Sequence, residues 1–102
     1  MDNSINDNKK WFYCFNMYDG TIYKGHIFMD CDDVGLRNLC AIKVKISEQS
    51  FEFRLVHKNF MFNNKLDIMR FCVKKSNEKN MFYLGNGKKI KVKTLFRRIK
   101  DL

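Results

Sequence analysis

The sequence predicts a mainly β domain, either a small β-barrel or a two-layer β-meander, of about six to eight strands joined by short hairpins. Three observations lead there. Apolar and polar residues alternate with period two over most of the chain. Pairs of such runs are separated by short turn signals at Asp19–Gly20, Glu48–Gln49 and Asn86–Gly87. With 45% hydrophobic and 15% aromatic residues, the 102-residue chain can bury one core unaided but not two. One short helix is compatible with this pattern, and an α+β sheet capped by a helix is the alternative.

The polar stretch Met1–Lys10 is not a secretory signal, and residues 1–8 are expected to form a flexible tail ahead of a single β-rich domain over 9–102. "WFYCFNMY", Asp-Gly and "TIYKGHIF" predict the first hairpin. A two-residue type I′ loop would pair Tyr18 with Thr21, Phe15 with Lys24 and Tyr13 with His26. "MDCDDVGLRN" reads as a loop containing one helical turn.

"LCAIKVKIS" and "SFEFRLVHK" predict the second hairpin. Pairing Ser47 with Ser50 aligns Ile46, Val44 and Ile42 with Phe51, Phe53 and Leu55 on one inward face. The segment Lys65–Lys75 fits either period. Asn64 would cap a helix carrying Leu66, Met69 and Val73 on one side, but its β-prone residues and flanking hairpins tilt the reading towards a strand.

"MFYLG", Asn-Gly and "KKIKVKTL" predict a last hairpin, with Gly85 opposite Lys88. That register sends Met81, Tyr83, Ile90 and Val92 inward. It sends Phe82 and Leu84 outward beside Lys89, Lys91 and Lys93. "FRRIKDL" then forms a short helical turn or a final edge segment. An SH3-like or OB-like barrel is the first architecture this suggests, and a helix-capped sheet such as a pleckstrin-homology-like module the second.

Charge is distributed unevenly. The net charge is +9, yet residues 1–64 balance eight basic against eight acidic side chains. The whole excess lies in residues 65–102, and seven of the thirteen residues Lys88–Lys100 are basic with no acid among them. Such a segment points to a polyanion. Lysines in a row beside an exposed aromatic ring suit single-stranded nucleic acid, the cations following phosphates and the ring stacking on a base. The candidate nucleic-acid-binding residues are Phe82, Lys88, Lys89, Lys91, Lys93, Arg97, Arg98 and Lys100.

The function expected is a small non-enzymatic protein that binds DNA or RNA through its basic C-terminal hairpin and tail. The alternative is a protein–protein interaction module: a subunit of a larger assembly, a homodimer, or a virus-type accessory factor docking on an acidic protein surface. The longest apolar runs fall short of the roughly 18 residues of a membrane span, so no membrane partner is expected. Cys14, Cys31, Cys40 and Cys72 lack C-x₂-C spacing, which fits free thiols inside the cell rather than a zinc knuckle.

No cofactor and no metal are expected. His26, Asp30, Cys31, Asp32 and Asp33 are grouped in sequence but match no EF-hand or zinc pattern. Cys40 and His57 would be cross-strand partners on an apolar face, where a thiol packs rather than reacts.

"WFYCFNMYDGTIYKG" resembles the opening strands of GIY-YIG nucleases, with Tyr13 and Tyr23 matching the family tyrosines. That family continues with an arginine-bearing helix and a helix carrying a catalytic glutamate. Here Arg37 falls in a loop and Glu48 and Glu52 in a hairpin, so the resemblance stops after the first hairpin and no family is assigned.

Overall fold

The computed structural model describes residues 10–102, and the tail expected over 1–8 lies outside the described residues. Strands β1 (Trp11–Phe15), β2 (Ile22–Asp30), β3 (Leu39–Lys45), β4 (Phe51–His57) and β5 (Met61–Phe62) form one sheet in the order β4-β3-β2-β1-β5. All its pairings are antiparallel. Helix α1 (Lys65–Lys75), the hairpin β6 (Met81–Tyr83) and β7 (Lys89–Lys91), and helix α2 (Val92–Lys100) complete the chain. The protein is mainly β, as expected. The sheet is open and does not close into a barrel, because β5 is only two residues long and the chain leaves it for α1 instead of reaching β4.

The first hairpin keeps the predicted faces but not the predicted pairs. Its loop spans residues 17–20, closed by Asn16 N–H to Thr21 O (2.9 Å) and Gly20 N–H to Asn16 O (2.8 Å). Asn16 and Asp19 side chains accept from Tyr18 N–H (2.9 Å) and Thr21 N–H (3.0 Å), and Gly20 takes the left-handed conformation (φ 77°). Phe15 therefore faces Ile22, Tyr13 faces Lys24, and Trp11 faces His26. A shift of two residues leaves every side chain on its expected face.

The second hairpin slips by one residue, which does reverse faces. Ile46 N–H bonds Ser50 O (2.9 Å), so the loop holds three residues, 47–49, and not two. Val44 pairs with Glu52, Ile42 with Arg54 and Cys40 with Val56. The expected inward row is split. Ile42, Val44 and Val56 are buried, whereas Phe51, Phe53 and Leu55 point into solvent from the other face.

Two apolar clusters result. On one face of the sheet, Phe15 and Ile22 pack with Ile68 and Cys72 of α1, Phe82 of β6, and Leu95 and Ile99 of α2. On the opposite face Cys14, Tyr23, Cys40, Ile42, Val44 and Val56 form a second cluster. Gly25 lets β3 lie close to β2 there, since a Cβ at this position would collide with the Ile42 side chain and sit 2.8 Å from Lys43 O. The loop after β2 contains the expected helical turn, Cys31–Val34, ended by Gly35 at φ 85°.

Lys65–Lys75 is a helix, correcting the tilt towards a strand. Asn64 Oδ1 accepts from Asp67 N–H (2.8 Å), and Lys74 and Lys75 sit at the C-terminal end of the dipole. The core takes Ile68 and Cys72, one turn apart, and leaves Leu66 and Val73 exposed. The predicted last strand also ends early. From Val92 the period becomes helical, with Val92, Leu95 and Ile99 buried.

Candidate nucleic-acid interface

The last hairpin carries the same one-residue slip. Leu84 N–H bonds Lys88 O (2.8 Å) and Gly87 N–H bonds Leu84 O (3.1 Å), with Gly87 left-handed at φ 88°. This is a three-residue loop, Gly85–Asn86–Gly87, in place of the predicted two-residue turn. Gly85 N–H donates to Met17 O (2.9 Å) and Asn86 N–H to Tyr18 O (3.0 Å), which docks the loop on the β1–β2 connection.

Register follows from that loop. Phe82 pairs with Ile90, while Tyr83 pairs with Lys89 and Met81 with Lys91. Phe82 is 1% exposed, edge-on to Phe15 with ring centroids 5.2 Å apart. It is a core residue, and its predicted role as a stacking platform is corrected. Tyr83 is the exposed aromatic of the cationic face, at 58%. Asn77 Nδ2 donates to its hydroxyl (3.4 Å), which steadies the ring without covering it. The signal for Tyr83 was Gly85, whose presence before Asn86–Gly87 makes a three-residue loop as natural as a two-residue one.

The predicted cations fall on two elements. Lys88, Lys89 and Lys91 are exposed on the hairpin, and Lys93 begins α2 instead of continuing the strand row. Lys93, Arg97 and Lys100, spaced by four and three residues, form a stripe along α2 opposite the buried Val92, Leu95 and Ile99. At 1.5 Å per residue that stripe runs about 10 Å. The ion pairs among the described residues lie elsewhere, so these six cations face water. Arg98 differs. Its guanidinium donates to Gly20 O (3.1 Å), tying α2 to the β1–β2 loop, so its first role is structural.

The elements also enclose an open cleft of about 470 Å³. Val73, Met81, Val92 and Phe96 supply apolar lining, and Lys79, Lys91 and Lys93 stand among the other lining residues. It continues into a shallow apolar groove along α1 and α2, where Leu66, Met69 and Phe96 lie beside Arg70 and Lys74. Among the described residues, no acidic side chain lines either. Lys79, Arg70 and Lys74 were absent from the predicted set. They come from the turn before β6 and from α1, and only tertiary packing brings them to the lysines of β7 and α2.

All four cysteines are free and buried. Burial pushes the Cys14 thiol up to about 12 and that of Cys72 to about 11, and raises Cys40 as well, so these remain protonated thiols. Cys40 and His57 point to opposite faces, since His57 pairs with Leu39. His57 Nδ1 accepts from Asn59 N–H (3.2 Å).

Asp30 and Asp32 hold the Lys58 ammonium at 2.9 Å and 2.7 Å, which keeps both carboxyls below their ordinary range. Among the described residues, no three His, Cys, Asp or Glu side chains cluster to hold a metal ion. The two tyrosines of the nuclease resemblance lie on opposite faces. Tyr13 pairs with Lys24, whereas Tyr23 is buried beneath Arg54, whose guanidinium carbon is 4.5 Å from the ring centroid.

No known family, curated protein or solved structure matches this chain. No described helix is long and apolar enough to cross a membrane.

Proposed function

We propose that this protein binds single-stranded nucleic acid inside the cell, without catalysing a reaction on it. The surface used is the exposed face of the β6–β7 hairpin together with the basic stripe of α2. The observation that carries this reading is the pairing of Tyr83 with Lys89 and of Met81 with Lys91 on one solvent-facing side. Lys88, Lys89, Lys91, Lys93, Arg97 and Lys100 follow the phosphates, and Tyr83 stacks on a base. The cleft beside Lys79, Lys91 and Lys93 has room and apolar lining for a second unstacked base.

Fluorescence anisotropy with labelled oligonucleotides at several salt concentrations tests the reading. The triple variant Lys89→Ala, Lys91→Ala, Lys93→Ala should weaken binding and flatten the salt dependence. The log–log slope should fall by about 0.7 for each phosphate no longer neutralised. Wild-type affinity in that variant rejects the proposal.

A second reading, docking on an acidic protein, is favoured by one feature. Leu66 and Val73 remain exposed on α1 beside Arg70 and Lys74, which suits an acidic amphipathic segment. Leu66→Ser, on the groove but outside the cleft, separates the two. It should leave oligonucleotide binding intact if nucleic acid is the ligand.

A further inference from the structure

The far edge of the sheet carries a surface that nucleic-acid binding does not use. Among the described residues, β4 has a partner strand on one side only, β3. The β3–β4 ladder is bounded by Ile46 N–H to Ser50 O (2.9 Å) and Lys58 N–H to Asn38 O (2.8 Å). Both bonds involve even-numbered residues of the β4 side. With period two, Glu52, Arg54 and Val56 turn their backbone groups to β3, and Phe51, Phe53 and Leu55 send theirs outward.

Edge strands of soluble proteins are usually blunted by proline, a bulge or an unmatched charge. β4 has no proline, since the chain contains none, and the sheet's register shift lies in β2, between Ile27 and Met29. Its two charges, Glu52 and Arg54, pair with each other. Three of the residues with outward backbone groups, Phe51, Phe53 and Leu55, also carry the exposed apolar side chains of the strand, Phe53 at 54% and Leu55 at 62% among them. Phe53 packs on Phe28 of β2 with ring centroids 4.8 Å apart, and the Lys43 ammonium sits 4.1 Å from the centre of the Phe51 ring. An apolar ledge thus runs along an open strand edge.

We propose that β4 pairs antiparallel with β4 of a second copy of this chain, about a two-fold axis through Phe53, joining two five-stranded sheets into one. Charge selects the occupant and the register. Centred on Phe53, the pairing sets Glu52 opposite Arg54 of the second copy, and Arg54 opposite its Glu52. Centred on Glu52 or Arg54, like charges would meet on the axis. The same register makes Phe53–Phe53 and both Phe51–Leu55 pairs the hydrogen-bonded ones, which the outward backbone groups require. The Glu52–Arg54 pairs become the closer, non-hydrogen-bonded ones, with Cα atoms about 4.5 Å apart. A strand that is its own complement in hydrogen bonding, charge and apolar face fits an isologous interface. Glu52 and Arg54 already bond within one strand, with Nε to Oε2 at 2.7 Å, so their partners change without an unpaired charge.

Sedimentation equilibrium of the full chain should give twice the monomer mass, in a concentration-dependent manner. A monomer at every concentration overturns the proposal and leaves the edge to a strand from another protein. Phe53→Lys, at an exposed position, should be monomeric with unchanged circular dichroism, and a persistent dimer in that variant also overturns it.

The register has its own test. Glu52→Arg and Arg54→Glu should each be monomeric, because each places two like charges opposite two more of the same sign. Mixing the two variants should restore the dimer mass, since a strand with two arginines then lies against a strand with two glutamates. Should Arg54→Glu unfold because the Tyr23 ring is left uncovered, the Phe53→Lys result still decides. Two folded single variants that stay monomeric when mixed overturn the register.

Discussion

The two ends of the molecule expose opposite chemistry from similar strand patterns. At the C-terminal end, the β6–β7 hairpin and two helices bury Phe82, Leu95 and Ile99 and present lysines, arginines and one tyrosine. At the β4 edge the order is inverted, and Phe51, Phe53 and Leu55 face water while Ile42, Val44 and Val56 form the core. Both outcomes come from a hairpin loop of three residues where two were expected. One extra loop residue reverses which alternate row is buried. In β6–β7 the reversal swaps Phe82 for Tyr83, an aromatic whose hydroxyl tolerates water. In β3–β4 it strands three apolar side chains outside. One end therefore exposes a cationic face, and the other an apolar ledge.

The comparison breaks most sharply at two neighbouring residues. Phe82→Ala should cost about 3–5 kcal/mol of stability, because it empties a site shared by the sheet and both helices. Chemical denaturation reads it directly. A loss below about 1 kcal/mol would show that the hairpin packs only loosely on the sheet. Tyr83→Ala should leave stability within about 0.5 kcal/mol of wild type and instead cost about 1–3 kcal/mol in single-stranded oligonucleotide affinity.

Asn64→Ala should remove about 1 kcal/mol of stability by freeing Asp67 N–H at the start of α1, with Asn64→Asp retaining most of it. Thermal melts of the two variants distinguish a cap from a general packing effect.

The smallest effect expected is at the β2–β3 connection. Lys58 bridges Asp30 and Asp32 and lowers the carboxyl pKa of both. A carboxyl whose folded pKa is depressed adds stability that is full above the unfolded value and lost as pH falls through the folded one. Acid titration of stability should therefore show a loss beginning near the ordinary carboxylate range and continuing below it. Lys58→Ala should shrink that acid-dependent loss by lowering stability slightly at neutrality while leaving it little changed in strong acid.

The strands of the three hairpins, their order along the chain and the helical turn at Cys31–Val34 were legible because each is written in residues close together in sequence, whereas β5 was not foreseen and Asn64 was a cap only under the helical reading. Lys65–Lys75 was ambiguous because Ile68, Phe71, Cys72 and Val73 suit a strand as well as a helix. Only packing against Phe15 and Leu95 selects the face Ile68–Cys72. The cations of the candidate site were legible as a cluster, but their division between hairpin and helix was not. The alternation of Lys89, Ile90, Lys91, Val92 and Lys93 continues past the point where Val92 joins the helical row of Leu95 and Ile99.

By itself, the sequence determined that this chain forms antiparallel hairpins with its positive charge gathered in the last third, since period and charge are local properties. Tertiary structure decided register. In the last hairpin, "MFYLGNGKKIK" offers aromatic residues to both faces, so alternation does not choose between a two- and a three-residue loop. That choice is made with distant groups, the Met17 and Tyr18 carbonyls that take up the Gly85 and Asn86 N–H groups and the helices that enclose Phe82. Which ring faces water is settled by contacts that a strand cannot make with itself.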